Sequence, residues 1–235
     1  MPLAVHVGVP RGGLRAHHVE QRGEVRDCLA EEAVAALAGQ VDLVLDAGRT
    51  RYAQPSTIIR VDGDGYKLLR EGIIAERTVR KLCRVNFLMI CTGNTCRSPM
   101  AEALLRRLLA KRLSCKEAEL AARGYHVESA GVAGVDGVPA SKQAVAVMKA
   151  RGIDLSRHRS SALTLDAIRR ADYIFAMTPT HMRAVIAMSP AAAERCRLLD
   201  EQGIEDPIGG EESEYAECAE RIEEALRRKL EEISL

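Results

Sequence analysis

Residues 85–109, VNFLMICTGNTCRSPMAEALLRRLL, constrain this 235-residue chain more than any other stretch. The mostly apolar run 85–90 has the length and composition of a buried strand. It enters a polar turn bounded by Cys91 and Cys96, with Arg97 directly after the second cysteine. Met100, Ala101, Leu104, Leu105, Leu108 and Leu109 then recur on one face of a helix. A strand that turns at once into an amphipathic helix must bury that helix against its own sheet, the basic unit of an α/β layer. Ser98 suits the N-cap of the helix, and Pro99 the first helical position, where no N–H is needed.

The alternation continues to the C-terminus. YHVESAGV (125–132), DYIFAM (172–177) and CRLL (196–199) read as strands. SKQAVAVMKARG (141–152), with Gly152 as its stop, reads as a helix, as do LTLDAIRRA (163–171) and THMRAVIAM (180–188), the latter ended by Pro190. After the loop DEQGIEDPIGGEE, a long charged helix, read as a solvated face, runs from about Ser213 to Ile233. Strands alternating with helices require a parallel sheet covered on both faces. The pattern breaks near residues 81–84, which divides the chain into 1–83 and 84–235. In the first part EEAVAALAG (31–39) reads as a helix and VDLVLDAG (41–48) as a strand. STIIRV and YKLLR around DGDG read as a hairpin. One short helix and three strands make a small, incomplete α+β segment with too little core to close by itself.

Composition narrows the function. With 34 basic and 33 acidic residues the net charge is +1, so bulk electrostatics argue for neither nucleic acid nor membrane as a partner. Trp is absent and aromatics make up 3%, which weakens any base-stacking role. No apolar run reaches the roughly 18 residues that span a bilayer, and the N-terminus lacks the pattern of a signal peptide. Seven cysteines without framework spacing suit reduced thiols in the cytoplasm.

In an open parallel sheet ligands bind beyond the carboxyl ends of the strands, where Cys91 sits. The N–H groups of a loop opening a helix converge and, with the helix dipole, stabilise an anion there, a thiolate as much as a phosphate. Arg97 follows where the turn folds back, and its planar fork can grip two oxygens of a tetrahedral anion. Gly93 and Asn94 are residue types that tolerate left-handed backbone. Nucleophile, cradle and clamp in one loop make a phosphate-ester-cleaving site that needs no metal or other cofactor. A zinc site is excluded because Cys91 and Cys96 have neither C-x2-C spacing nor a second ligand cluster. A Walker-type loop is excluded because no Gly-Lys-Ser/Thr follows.

Over residues 84–235 the sequence resembles the low-molecular-weight protein phosphatases. CTGNTCRSPMAE, ESAGV (128–132), GIDLSRHRSSALT (152–164), ADYIFAMT (171–178) and DPIGG (206–210) carry the resemblance. It implies a four-stranded parallel sheet with helices on both faces, and a hydrolase that dephosphorylates proteins in two steps. Cys91 would attack phosphorus to give a phosphocysteine, while Arg97 and the loop residues Thr92, Gly93, Asn94, Thr95 and Cys96 hold the oxygens. Asp206 would protonate the leaving group and then activate water. Ser98 would hydrogen-bond the thiolate, and Ser129 and His158 would brace Asn94. Read alone, His158 is equally a solvated residue, Ser129 an ordinary strand residue and Asp206 a turn former before proline. Cys96 is either inert or the partner in a reversible disulfide that guards Cys91.

The resemblance also bears on substrate, a phosphorylated protein or small phosphate. Tyrosine-directed members usually carry aromatic residues after the Asp-Pro, where Ile208, Gly209 and Gly210 stand here. Phosphoarginine-directed members resemble this chain in having threonine at the position of Thr95, although they usually have an aromatic at that of Ile208. The balance leans to phosphoarginine over phosphotyrosine. The related thiol-dependent arsenate reductases need two further cysteines after the second helix, and between residues 150 and 199 there is only Cys196.

Residues 40–74 resemble the C-terminal part of the threonylcarbamoyl-AMP synthase family of tRNA-modifying enzymes, with PSTII (55–59) as the shared stretch. The likeness spans about 8–76 and implies that Ser56 and Thr57 are remnants of a nucleotide site. The basic motifs of that family's N-terminal part have no counterpart, so this half reads as a truncated relic of a domain fusion. The alternative is a nucleotide- or RNA-binding remnant with the phosphatase as its regulator.

Overall fold

The computed structural model describes residues 54–62 and 65–233. The helix read at 31–39 and the strand read at 41–48 lie outside the described residues. The chain divides after Leu82 into two compact units.

In the first unit β1 (Ile58–Asp62) pairs antiparallel with β2 (Gly65–Arg70), Arg60 opposite Lys67 and Val61 opposite Tyr66. A short helix, α1 (Glu76–Leu82), follows. The chain returning from the hairpin packs tightly: a Cβ on Gly72 would lie 2.3 Å from the Pro55 carbonyl oxygen, so only glycine fits.

In the second unit β3 (Val85–Cys91), α2 (Arg97–Arg112), β4 (Tyr125–Gly131), α3 (Lys142–Ala150), α4 (Leu165–Arg170), β5 (Tyr173–Ala176), α5 (Pro179–Met188), β6 (Cys196–Leu198) and α6 (Glu212–Glu232) follow in order. The four strands form one parallel sheet in the order β4-β3-β5-β6. Strand β3 is central, and Phe87 to Cys91 are all at most 2% exposed. Because strand side chains alternate, these residues divide between two cores. Phe87, Met89 and Cys91 pack with Leu104, Leu105 and Leu109 of α2, Met148 of α3 and Ile222 and Leu226 of α6. Leu88 and Ile90 pack on the other face with Ile168 of α4 and Val185 of α5. Each fully buried aliphatic side chain contributes about 1.5–3 kcal/mol, so a run buried on both faces anchors both helical layers.

Local signals explain most helix boundaries. Ser141 caps α3 by accepting from the Ala144 N–H at 3.2 Å, and Gly152 beyond its end takes φ +75°. Thr178 caps α5 with Pro179 at its start. Two sequence expectations are corrected. Helix α2 starts at Arg97 with Cys96 as a cap that supplies no side-chain bond. Ser98 therefore lies inside the first turn, and its hydroxyl faces Cys91 instead. Helix α6 is not merely a solvated face: Tyr215, Ala219, Ile222 and Leu226 line a stripe that is at most 1% exposed. Its charges cover the outer side, where Glu223 pairs with Arg151 and Arg107. Among the described residues no helix is long and apolar enough to cross a membrane.

Leu104 is fully buried in the larger core and Ile208 is 69% exposed. Leu104→Ala should lower the unfolding free energy by about 2–5 kcal/mol in urea titration, and Ile208→Ala should change it by less than about 0.5 kcal/mol.

Candidate active site

The strands end at one edge with Cys91, Gly131, Ala176 and Leu198. Between Cys91 and Arg97 the chain must reverse in five residues, and Asn94 makes this possible by adopting φ +57°. Gly93, also a residue that tolerates such backbone, does not use it. The reversed loop lies against β4, where Val132 N–H donates to the Cys91 carbonyl and Ala133 N–H to that of Thr92, both at 2.9 Å. A Cβ on Gly131 would meet the Thr92 carbonyl oxygen at 2.5 Å, so this glycine is the floor on which the loop rests.

Asn94 is fully buried and every polar atom of its side chain is used. Its Nδ2 donates to Ser98 Oγ at 2.8 Å and to Ser129 Oγ at 2.9 Å, and its Oδ1 accepts from the Ser161 N–H at 2.8 Å. The Asn94 carbonyl, an acceptor only, lies 2.8 Å from His158 Nε2, so that nitrogen carries the proton. The directions of the other bonds follow. Ser129 accepts from Asn94 and donates to Glu102 Oε2 at 2.6 Å, while Arg106 holds Glu102 Oε1 at 2.9 Å. Ser98 Oγ accepts from Asn94 and lies in hydrogen-bond contact with Cys91 Sγ at 2.9 Å. The Asn94 N–H donates to the same sulfur at 3.2 Å. The sulfur is thus buried with a backbone donor and a hydroxyl on it.

Arg97 stands on the other side of the loop, 3% exposed. Its Nη1 donates to the Ile204 carbonyl at 2.9 Å, and its Nη2 reaches both Thr92 Oγ1, at 3.2 Å, and the Asp206 carboxylate. Its Nε is buried with no hydrogen-bond partner. Such an orphan donor costs about 1–3 kcal/mol, and an oxyanion is the group that would satisfy it. Asp206 also accepts from the Ile208 N–H at 3.3 Å, the local turn expected before Pro207.

The structure thus brings together Cys91, Asn94, Ser98, Ser129 and His158 on one side and Thr92, Arg97 and Asp206 on the other. Thr95 is half-buried beside them; its carbonyl accepts from the Ser141 N–H at 2.9 Å, and its hydroxyl lies 3.6 Å from Cys96 Sγ. Cys96 also meets Tyr215 OH at 3.3 Å. Burial first, and then this hydrogen bond, push the Tyr215 phenol up to about 12, so it stays protonated. Six residues of the site are not singled out by the sequence: Glu102, Gly131, Ser161, His181, Ile204 and Tyr215. Glu102 and Gly131 lie inside quoted motifs, but nothing in their spacing says that one ends a hydrogen-bond chain and the other supports the loop. His181 lies 2.9 Å from Thr92 Oγ1, and its one sequence signal is the spacing from Thr178.

Ser56 and Thr57 belong to the other unit. Thr57 Oγ1 donates to the Ile74 carbonyl at 2.7 Å and accepts from the N–H groups of Gly72 and Ile74 at 3.1 and 3.0 Å, which fills the hydroxyl. Ser56 receives the Arg70 guanidinium on its carbonyl and hydroxyl. Both residues close the hairpin on the chain that follows it.

Comparison with known proteins agrees with this geometry. A family model described as low molecular weight phosphotyrosine protein phosphatase matches residues 86–234, and a second, described as telomere recombination (Sua5/YciO/YrdC), matches residues 20–72. The chain is 34% identical over 142 residues to a probable low molecular weight protein-tyrosine-phosphatase, EpsP, of Ralstonia nicotianae, covering 59% of this chain and 89% of that protein. It is 36% identical over 152 residues to a protein-arginine-phosphatase of Geobacillus stearothermophilus, covering 62% of this chain and 94% of that one. A solved structure of the YwlE arginine phosphatase, a variant with a phosphorylated active site serine, superposes with a TM-score of 0.56 at 30% identity, covering 63% of this chain and 95% of its own. A buried thiol at the carboxyl end of a parallel strand, a buried guanidinium in the same loop and these matches lead to one conclusion: the chain belongs to the low molecular weight phosphotyrosine protein phosphatase family and is a cysteine-dependent protein phosphatase.

Proposed function

We propose that Cys91 is the nucleophile, that Arg97 with the loop amides is the phosphate clamp, and that Asp206 is the acid and base. The observation that carries this reading is the surroundings of Cys91: the Asn94 N–H donates to its sulfur at 3.2 Å and the Ser98 hydroxyl lies 2.9 Å from it. In the first step the thiolate attacks phosphorus in line, the bond to the leaving group breaks, and Asp206 gives that group its proton. In the second, Asp206 takes a proton from water, whose oxygen attacks the phosphocysteine and releases phosphate and thiolate. The charge on the equatorial oxygens falls to Arg97, whose unpartnered Nε supplies a donor that no protein group uses. The phosphorylated serine of the related arginine phosphatase supports a covalent phosphoenzyme on the residue at this position.

For the substrate we infer phosphoarginine on a protein in preference to phosphotyrosine. Thr95 is a half-buried hydroxyl residue of the loop, and Ile208, 69% exposed after the Asp-Pro, offers no flat ring to stack on a phenol. The match to a protein-arginine-phosphatase supports this, whereas the similar identity to a tyrosine phosphatase keeps phosphotyrosine as the second reading. For residues 1–83 we propose a segment of the synthase-like family without a working nucleotide site, because the match covers residues 20–72 and the Thr57 hydroxyl is committed to the hairpin.

Cys91→Ser should abolish p-nitrophenyl phosphate hydrolysis, by at least about a thousandfold in kcat, and activity surviving the change would exclude the mechanism. Asp206→Asn should cost more on phenyl phosphate, a poor leaving group, than on p-nitrophenyl phosphate; equal losses would remove Asp206 as the acid. Thr95→Ile should shift the kcat/KM ratio toward phosphotyrosine peptides by roughly tenfold, as measured against phosphoarginine peptides. Titrating ATP into the whole chain should give no heat of binding, and a saturable signal would restore the nucleotide-site reading.

A further inference from the structure

We propose that His181, acting through the Thr92 hydroxyl, positions the Arg97 guanidinium for the phosphoryl group. The inference rests on the reading of Arg97 as the clamp and asks what holds the clamp still.

Arg97 is tied at three points: the Ile204 carbonyl and the Asp206 carboxylate from the loop after β6, and Thr92 Oγ1 from its own loop. Asp206 must exchange protons with leaving group and water during the proposed reaction, so it cannot serve as a fixed anchor throughout. The Ile204 carbonyl grips Nη1 alone. The orientation of the other arm, Nη2, therefore falls to Thr92. Thr92 is an exposed residue on a polar loop, and a threonine hydroxyl in such a place would normally rotate among its wells.

His181 removes that freedom. The ring is 4% exposed and lies between two hydroxyls, with Nε2 2.9 Å from Thr92 Oγ1 and Nδ1 2.9 Å from Thr178 Oγ1. Thr178 is itself fixed as the N-cap of α5, where its hydroxyl accepts the His181 N–H at 3.4 Å. The guanidinium can only donate, so Thr92 Oγ1 accepts from Arg97 and pairs on its other side with the ring. Either neutral tautomer has one donor and one acceptor and serves both threonines. Burial first, and the Arg97 charge second, push His181 down to about 4 against the opposing pull of Asp206. The ring is therefore neutral at neutral pH and fixes the clamp without adding a second cation. A chain Thr178–His181–Thr92–Arg97 thus runs from the start of α5 to the clamp. Catalytic groups displaced by about 1 Å can lose about a hundredfold in rate, which gives such a link its value.

The bland alternative is that His181 only fills space and caps α5, and kinetics separate the two. His181→Phe keeps the ring and removes both nitrogens. Thr92→Val keeps the shape, removes the hydroxyl and, on an exposed residue, carries little risk to folding. Each should lower kcat/KM for p-nitrophenyl phosphate by roughly tenfold and weaken competitive inhibition by inorganic phosphate. The double variant should be no worse than the poorer single one, because both remove the same link. Thr92→Ser should recover most of what Thr92→Val loses. A His181→Phe enzyme that melts earlier but keeps wild-type kcat/KM and phosphate inhibition overturns the proposal, as do losses that multiply in the double variant. If His181→Phe does not fold, Thr92→Val decides alone, since wild-type kinetics in that variant overturn the link. Failure of the underlying reading looks different: it is activity that survives Cys91→Ser, whatever position 181 holds.

Discussion

The site depends on one residue held in an unfavourable backbone conformation. Left-handed geometry costs a non-glycine residue roughly 1–2 kcal/mol, and Asn94 bears that cost at φ +57°. The compensation comes from its side chain, whose two N–H bonds and one acceptor bond are all made in a site closed to water. Without that reversal the Asn94 N–H could not face Cys91 Sγ, and Arg97 could not begin a helix on the far side of the same loop. The same side chain holds the Ser98 hydroxyl that lies on the sulfur. Backbone shape and electrostatics at the sulfur therefore have a common origin.

The scaffold supplies what this loop needs by burying β3 on both faces. A strand whose side chains alternate between two cores cannot slide, because a slip of one residue would exchange the cores. Its last residue, Cys91, is thereby placed at the sheet edge with little freedom. Strand β4 ends alongside it at Gly131, the only type of residue over which the loop can pass at this distance. On the side of β3 away from β4, β5 leads through Met177 to Thr178 and α5, and the segment after β6 brings Ile204 and Asp206 to Arg97. Every strand of the sheet thus delivers something to the same edge.

The alternation of strands and helices over 85–233 was legible because apolar periodicity and turn residues agree along that length. The start of α2 was misread for a physical reason. Ser-Pro is a good helix opening when Ser caps, but here the hydroxyl lies on the Cys91 sulfur instead. Helix α6 was read as solvated because its charges dominate the sequence. Its buried stripe of Tyr215, Ala219, Ile222 and Leu226 nevertheless has the three- and four-residue spacing of an amphipathic face.

The sequence by itself determined the local chemistry: a thiol, an arginine and a tolerant Asn within seven residues, between a strand and a helix. Those relations are carried by covalent proximity, so spacing is enough to read them. Only the tertiary structure decided which distant groups complete the site. Ser129, His158 and Ser161 on Asn94, Ile204 and Asp206 on Arg97, Tyr215 on Cys96 and His181 on Thr92 are separated from their partners by 35 to 119 positions. Nothing along the chain encodes such separations one by one. They follow from the order of four strands and from which face of each helix the two cores claim.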